Sequence, residues 1–238
     1  MSDGCLLKDE EKVGLVNLFV HSLFSHVDVA LNERLISSSN NTYPYRAILE
    51  KLLNHNYDEK SSQLSAELFF KDTAGKMNVF YPSDPNPNDS FTKRADFIKT
   101  VDMIGRLYID LFHQERLMLN LVGLKLKFIR SKPEFLLNRA KTVTRFLSSM
   151  LSPFCEKGSC ESSSDAWLTS KSLEKTSAKY PINRVLCIYF IPQGNMSFVQ
   201  DNIFAGQMPK RLVIAFVDND ALNGTYKYSL LLSSNIII

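Results

Sequence analysis

Apolar residues at Val13, Leu15, Val16, Phe19, Val20, Leu23 and Phe24 recur at three- and four-residue spacing, which predicts a short helix over 12–24. The period then changes to two. Val27, Val29 and Leu31 alternate with Asp28 and Ala30, the pattern of a strand with one buried face. Asn32-Glu33 predicts a turn into a second strand at Arg34–Ile36, though Asn-Gly would be the stronger hairpin signal. A polar stretch, 37–42, leads into a helix with Pro44 in its first turn, where a missing amide proton costs little. Its apolar stripe is Ile48, Leu49, Leu52 and Leu53, ending near Asn54. The pattern predicts a further helix over 61–70, a loop over 72–90 holding Pro82, Pro85 and Pro87, and a short helix over 91–99.

Strand patterns dominate the rest. Val101, Met103, Leu107, Ile109 and Leu111 alternate with Asp102, Arg106 and Asp110; Leu124, Leu126 and Phe128 alternate with Lys125 and Lys127. One-sided strands of this kind belong to antiparallel sheets. A β-rich run covers 182–191, and the run over 212–217 is apolar on both faces, so it reads as a fully buried strand followed by turns at Asp218-Asn219-Asp220 and Asn223-Gly224. Two stretches break the pattern. Residues 148–172 hold nine serines, Cys155, Cys160 and the single tryptophan, Trp167; the chain ends in Ile236-Ile237-Ile238.

Composition narrows the class. With 238 residues, 45% hydrophobic and 22% charged, the chain has the make-up of an ordinary globular protein, not of a disordered chain or a disulfide-rich miniature. The longest apolar stretch near the start, 13–24, is short and carries Asn17, His21 and Ser22, whereas a membrane span needs roughly 20 apolar residues. The first twelve residues turn acidic at once and lack the pattern of a secretory signal. Four cysteines, Cys5, Cys155, Cys160 and Cys187, make no disulfide framework in a chain of this length, so the expected setting is intracellular and reducing. Net charge is +3, but unevenly placed: seven basic residues stand against Glu134 between Lys125 and Arg145. Such a run is a solvated face or a weak, non-specific contact with nucleic acid.

No pattern of reaction chemistry emerges. His21 and His26 are five apart, the wrong spacing for two metal ligands on one helix face. Cys155 and Cys160 lack further ligands at zinc spacing, and Asp218-Asn219-Asp220 lacks the later carboxylates of a calcium loop. Neither glycine-rich phosphate loop occurs, and Gly158-Ser159-Cys160 lacks the second glycine of a nucleophile elbow. Asp102 and Asp110 fall on the polar side of a strand pattern and read as solvated carboxylates. Phe24, Phe112, Phe128 and Phe190 hold core-like positions rather than a base-stacking platform. The expectation is no catalytic residue, no cofactor, no metal and no small-molecule substrate.

Long ordered strings carry more information than any single residue: Leu18–Asn32, Ser37–Asn54, Leu68–Met77, Thr100–Phe112, Lys179–Leu186 and Ile191–Tyr226. They resemble the double jelly-roll, major-capsid-like proteins of Polinton (Maverick) transposons and adintovirus-like viruses, and the resemblance as a whole covers about three-quarters of the chain. That resemblance implies a structural role, a subunit of two antiparallel sandwiches side by side, with three copies forming a pseudo-hexagonal capsomer. It implies no catalytic residues. Jelly rolls also serve as carbohydrate-binding modules, and a penton-type single jelly roll is a neighbouring possibility; the continuation through Lys179–Tyr226 favours the double form.

The expected fold class is therefore mainly β with helical insertions, an incomplete double jelly roll holding most of the first sandwich and the start of the second. The expected organisation is an unstructured N-terminus (1–11), a first jelly roll with helical insertions (12–147), an irregular Ser/Cys-rich segment (148–175), the start of a second jelly roll (176–227) and an aberrant tail (228–238). Residues 133–168 and those after Tyr226 depart from the family pattern, and Asn32-Glu33 stands where the family tends to have Asn-Gly. The expectation is a truncated, partly decayed relic of a transposon gene, poorly soluble when made alone because a sandwich lacking strands exposes sheet edges.

Overall fold

The computed structural model describes residues 14–39, 41–77, 79, 85–96, 102–114, 116, 122–138, 179–186, 208–214 and 219–223, with 197, 199, 201 and 217 singly. The expected segments 1–11, 148–175 and 228–238 lie outside the described residues, as do all four cysteines and Trp167.

The period-two run folds as read. Strand β2 (Phe24–Leu31) is the middle of a three-stranded antiparallel sheet, between β3 (Arg34–Ser38) and β4 (Leu124–Arg130). Its β-branched residues Val27 and Val29 are buried and stand opposite Phe128 and Leu126 of β4. Phe24 packs on Phe128 with ring centroids 4.9 Å apart. The other face pairs Asp28 with Lys127, and Ala30 with Lys125 on one side and Leu35 on the other. Asn32 and Glu33 both take positive φ, 45° and 66°. A two-residue hairpin with right-handed twist requires that conformation, which Asn tolerates better than Glu. Asn32 compensates by stitching the turn to the start of β4: its amide donates to the Gly123 carbonyl at 2.9 Å and its side-chain oxygen accepts from the Gly123 amide at 2.8 Å.

The N-terminal helix is much shorter than its periodicity predicts. Residues Gly14–Leu15 form β1, a short strand antiparallel to β5 (Leu137–Asn138), and only Phe19–Ser22 are helical (α1). Asn17 is the cause. Fully buried, it donates to the Phe70 carbonyl at 2.6 Å and accepts from the Phe70 amide at 3.0 Å, so its side chain does the work of a strand partner. Leu18 then turns through a left-handed conformation (φ 54°) and α1 starts there.

The long connection between β3 and β4 holds most of the helix. Helix α2 (Tyr43–Asn54) carries Pro44 in its first turn as predicted. Its buried surface is wider than the leucine stripe: Tyr43, Arg46, Ala47, Ile48, Glu50 and Lys51 are buried, while Leu53 is exposed. The predicted helix 61–70 is instead α3 (Tyr57–Ser61) followed by a 3₁₀ turn, Gln63–Glu67, stopped by Leu68 at positive φ. Helix α4 (Asp89–Ala95) begins two residues before the predicted 91–99, capped by the Asn88 side chain on the Ser90 amide. Its fully buried Arg94 donates to the Leu15 carbonyl at 2.8 Å and to Ser90 Oγ, with Asp72 at 3.7 Å, and so ties α4 to β1. A one-turn helix α5 (Pro133–Leu136) leads into β5.

Three predicted strands are corrected. Residues 102–109 hold no regular secondary structure and pair with no strand among the described residues, and they lead through the extended Ile109 into a 3₁₀ turn at Asp110–His113. Their alternation is real: Met103, Gly105 and Leu107 are half-buried and Asp102, Ile104 and Arg106 exposed. Alternation reports one-sided burial, and here the buried side rests on helices rather than within a sheet. Residues 211–214 form no strand, and Leu212 and Ile214 are 63% and 54% exposed, against the predicted burial on both faces. Residues 182–186 are likewise irregular, the remainder of 182–191 lying outside the described residues. Of the predicted turn at 218–220, Asn219 and Asp220 open a helical turn, Asn219–Asn223, and residue 218 lies outside the described residues.

One apolar core joins these pieces. Leu18, Phe19, Val27 and Val29 meet Tyr43, Ile48, Leu68 and Phe69, with Tyr108, Ile109 and Leu111 closing over them. Among the described residues helix and strand are thus mixed, with the sheet on one side of the core and α2 and the 102–114 segment on another. No helix among them is long and apolar enough to cross a membrane.

Candidate functional site: a buried polar cluster under the 102–114 strap

The chemistry-bearing residues gather where segment 102–114 crosses α2. Helix α2 turns Tyr43, Arg46, Glu50 and Lys51 toward the strap, because positions three and four apart share a face. Helix α1 supplies His21 and the 3₁₀ turn supplies Glu67, both buried. The strap brings Tyr108, Asp110 and His113.

Two ionic knots result. In the first, Lys51 Nζ reaches both oxygens of Glu67 at 2.8 Å, and Glu67 Oε2 also meets His21 Nε2 at 3.2 Å. His21 Nδ1 faces the Tyr43 hydroxyl at 3.0 Å. In the second, Arg46 donates through Nε to Glu50 at 2.8 Å and through Nη2 to Asp110 at 2.5 Å. His113 Nδ1 lies 3.5 Å from the other oxygen of Glu50. Buried ions are tolerated when each is paired and hydrogen-bonded, and these are.

Tyr108 sits between the knots. The His21 ring is 5.2 Å from its ring, the His113 ring 5.6 Å, and Lys51 Nζ lies 5.0 Å over its face. Its hydroxyl meets His55 Nε2 at 3.2 Å, and His55 Nδ1 holds Glu59 at 2.9 Å. Close approach of the strap depends on Gly105: a Cβ there would stand 3.1 Å from His21 Nε2 and 3.2 Å from Glu67 Cγ. Beside the knots lies an open cleft of about 550 Å³, lined by Glu50, Lys51, His55, Glu67, Arg106 and Tyr108 among others.

Burial and partners set the protonation states. Burial pushes the Tyr43 and Tyr108 hydroxyls well above the ordinary tyrosine value. Burial also pushes the Glu67 carboxyl up, but its hydrogen bonds and charges from His21 and Lys51 outweigh this and leave it low. The His55 hydrogen bond holds Glu59 low. Burial pushes His113 down, against the pull of Glu50.

The chain Tyr43 hydroxyl, His21 imidazole, Glu67 carboxylate has the order of a hydroxyl–base–orienter triad. Its setting argues for structure instead. Tyr43 and His21 are each 1% exposed, so no substrate reaches the hydroxyl, and Lys51 already neutralises the carboxylate. A nucleophile needs access and an available base; here both are used up in holding the fold.

The structure places several residues singled out in the sequence, one of them against its reading. Asp110, read as solvated, is buried against Arg46. Asp102 is exposed, as read. His21 and His26 prove unrelated: His26 lies on the sheet, 2.6 Å from Asp28. Lys125 and Lys127, part of the basic run, share a shallow groove on the outer sheet face with Asp28 and Glu33, so their charge is locally balanced. The His21–Glu67 and Arg46–Asp110 pairs lie 46 and 64 residues apart, a separation no local spacing reveals. Among the described residues no group of three or more His, Cys, Asp or Glu is placed to hold a metal ion.

No family model matches the chain, and no solved structure does. It is 22% identical over 225 residues to an uncharacterized protein of Caenorhabditis elegans, an alignment covering 93% of this chain and 52% of that protein. The chain thus spans about half the length of the relative it matches.

Proposed function

We propose that this chain is a structural subunit of a self-assembling shell, of the double jelly-roll kind carried by Polinton-type elements, with copies of itself as its partners. The observation that carries the reading is the sheet β3-β2-β4. One face is sealed on the core through Val27, Val29, Leu126 and Phe128, and the other is turned to solvent. Its outer strands meet no further strand among the described residues. A one-sided antiparallel wall with a long helical insertion joining its two outer strands is in keeping with a sandwich wall with lateral insertions. The ordered strings from Leu18 to Tyr226 support the same reading, and the greater length of the nematode relative leaves room for more of a second sandwich. The closed state of the polar cluster is in keeping with a role built on contact rather than on turnover.

Purified full chain, examined by light scattering and negative-stain electron microscopy, is the test. Self-association is expected, as oligomers or as larger aggregates joined through the bare sheet edges. A monomer at every concentration, melting cooperatively, would overturn the assembly reading. A monomer that binds an oligosaccharide column would replace it with the carbohydrate-binding one.

A further inference from the structure

Strand β4 lies at the edge of its sheet, paired with β2 on one side and with no strand among the described residues on the other. We propose that this edge takes up an extended segment of another protein as a fourth strand, one whose residues alternate between acidic on the solvent side and apolar on the core side. This goes beyond the assembly reading and does not rest on it.

Of the two outer strands, β4 offers the better template. It runs seven residues, Leu124–Arg130, with no extra residue in its own backbone; the one irregularity in its pairing falls between Phe24 and His26 of β2. Strand β3 has five residues, and Ile36 is an extra one between the pairs Ala30 with Leu35 and Val29 with Ser37. A bulge of that kind twists an edge and interrupts its row of outward amides and carbonyls.

The two faces of β4 ask for different neighbours. On the core side Leu124, Leu126 and Phe128 stand opposite Leu31, Val29 and Val27. Val27 and Val29 on the central strand are sealed, whereas Leu124 is 43% exposed and Leu126 and Phe128 are half-buried. The apolar side is thus complete over β2 and incomplete over β4, and apolar residues of an added strand would cover the remainder. On the solvent side Lys125, Lys127 and Ile129 are all exposed.

Charge selects the occupant. Lys127 Nζ is 3.9 Å from Asp28, which His26 holds more closely at 2.6 Å, and Lys125 faces Ala30 and enters no described ion pair. The groove around them is neutral in sum, yet both ammonium groups have room for a closer carboxylate. An acid across the strand from each lysine supplies one, and a basic residue there repels. Edge lysines are also a guard against unwanted pairing, and toward a second copy they act as one. Strand β4 paired with itself over its full length sets Lys127 opposite Lys127, and β3 brings Arg34 and no acid. No described strand of this chain carries two acids at alternate positions, so the fitting partner is a different protein. In such strand addition the main chain gives affinity and alternate side chains give specificity.

The probe is a fluorescein-labelled peptide, Thr-Ile-Val-Glu-Val-Glu-Val, which in antiparallel register sets its glutamates opposite Lys127 and Lys125. Fluorescence anisotropy with the full chain is expected to show saturable binding, about tenfold or more tighter than that of the same peptide with lysines for glutamates, because two attractive cross-strand pairs become two repulsive ones. Added salt is expected to narrow that preference. The scrambled peptide Glu-Glu-Val-Val-Val-Ile-Thr, with equal charge and no alternation, is expected to bind more weakly. Lys125→Glu together with Lys127→Glu, both at exposed positions, is expected to reverse the preference between the acidic and basic peptides. No binding of the alternating acidic peptide up to about 1 mM overturns the proposal. Equal binding of the acidic and basic peptides, equal binding of the scrambled one, or a preference that survives the double reversal overturns it as well.

Discussion

Lys51→Met isolates the ammonium at the centre of the first knot. Lys51 is 2% exposed and its head group touches both oxygens of Glu67 at 2.8 Å. Methionine has a similar flexible apolar stem, so little packing is lost. What is lost is the partner of a buried carboxylate, a change that costs about 3–5 kcal/mol when nothing else compensates. Here His21 Nε2 remains 3.2 Å from Glu67, which places the expected cost near the lower end, about 3 kcal/mol. Lys51→Met with Glu67→Leu removes both charges and leaves His21 without an acceptor, a residual of about 1–2 kcal/mol. The two changes are therefore coupled: the double variant is more stable than Lys51→Met alone. Pulse proteolysis in urea measures both at low protein concentration, where assembly does not intrude. The pH dependence has a definite sign. Glu67 titrates below the ordinary carboxylate range in the folded chain, so the stability it carries is full above that range and is lost as pH falls through its lowered value. The penalty of Lys51→Met accordingly shrinks in acid. A penalty under about 1 kcal/mol near pH 7.5, or a double variant as unstable as the summed single changes, would refute the reasoning.

Arg94→Met leaves Asp72 without its cation and the Leu15 carbonyl without its donor, and a loss of about 3–5 kcal/mol is expected in the same assay. Gly14→Ala drives a Cβ into the Phe91 ring, so α4 must shift on β1. The expected cost is about 1–3 kcal/mol, and Phe91→Leu in the same chain should recover part of it. Asn17→Asp removes the donor to the Phe70 carbonyl and sets a carboxylate against it. A drop in unfolding midpoint well beyond that of an exposed control such as Asn54→Asp is expected, with full-chain circular dichroism as the readout.

The β2–β3 hairpin, the start of α2 with Pro44, and β4 were legible because each is decided locally: alternation, turn residues and a proline's fixed geometry act within a few residues. The 102–109 strap was legible only by half. Its alternation correctly reported a buried and an exposed side, but nothing in alternation says whether the buried side meets another strand or a helix. The N-terminal helix was misjudged because Asn17, an ordinary polar interruption in sequence, satisfies backbone groups 53 residues away. The polar cluster was invisible for a similar reason. Arg46, Glu50 and Lys51 have the look of a solvated helix face, and only the arrival of Asp110, Glu67 and His113 from distant segments makes burial affordable. Leu212 and Ile214 show the converse, exposed although apolar, since hydrophobicity alone does not supply a neighbour.

The order in which the central strand acquires its neighbours has a kinetic consequence. Val29 meets Ser37 within a single hairpin, but Val27 meets Phe128 about a hundred residues further along the chain. Closing a loop of that size pays its entropy before the pairing rewards it, so β4 joins late and slowly. Until it does, the half-made sheet offers the bare edge of β2 as well as that of β3, and an open apolar side, to whatever other strand arrives first. During synthesis that window lasts as long as the ribosome takes to traverse the intervening insertion, and chaperone dependence is expected to track its length.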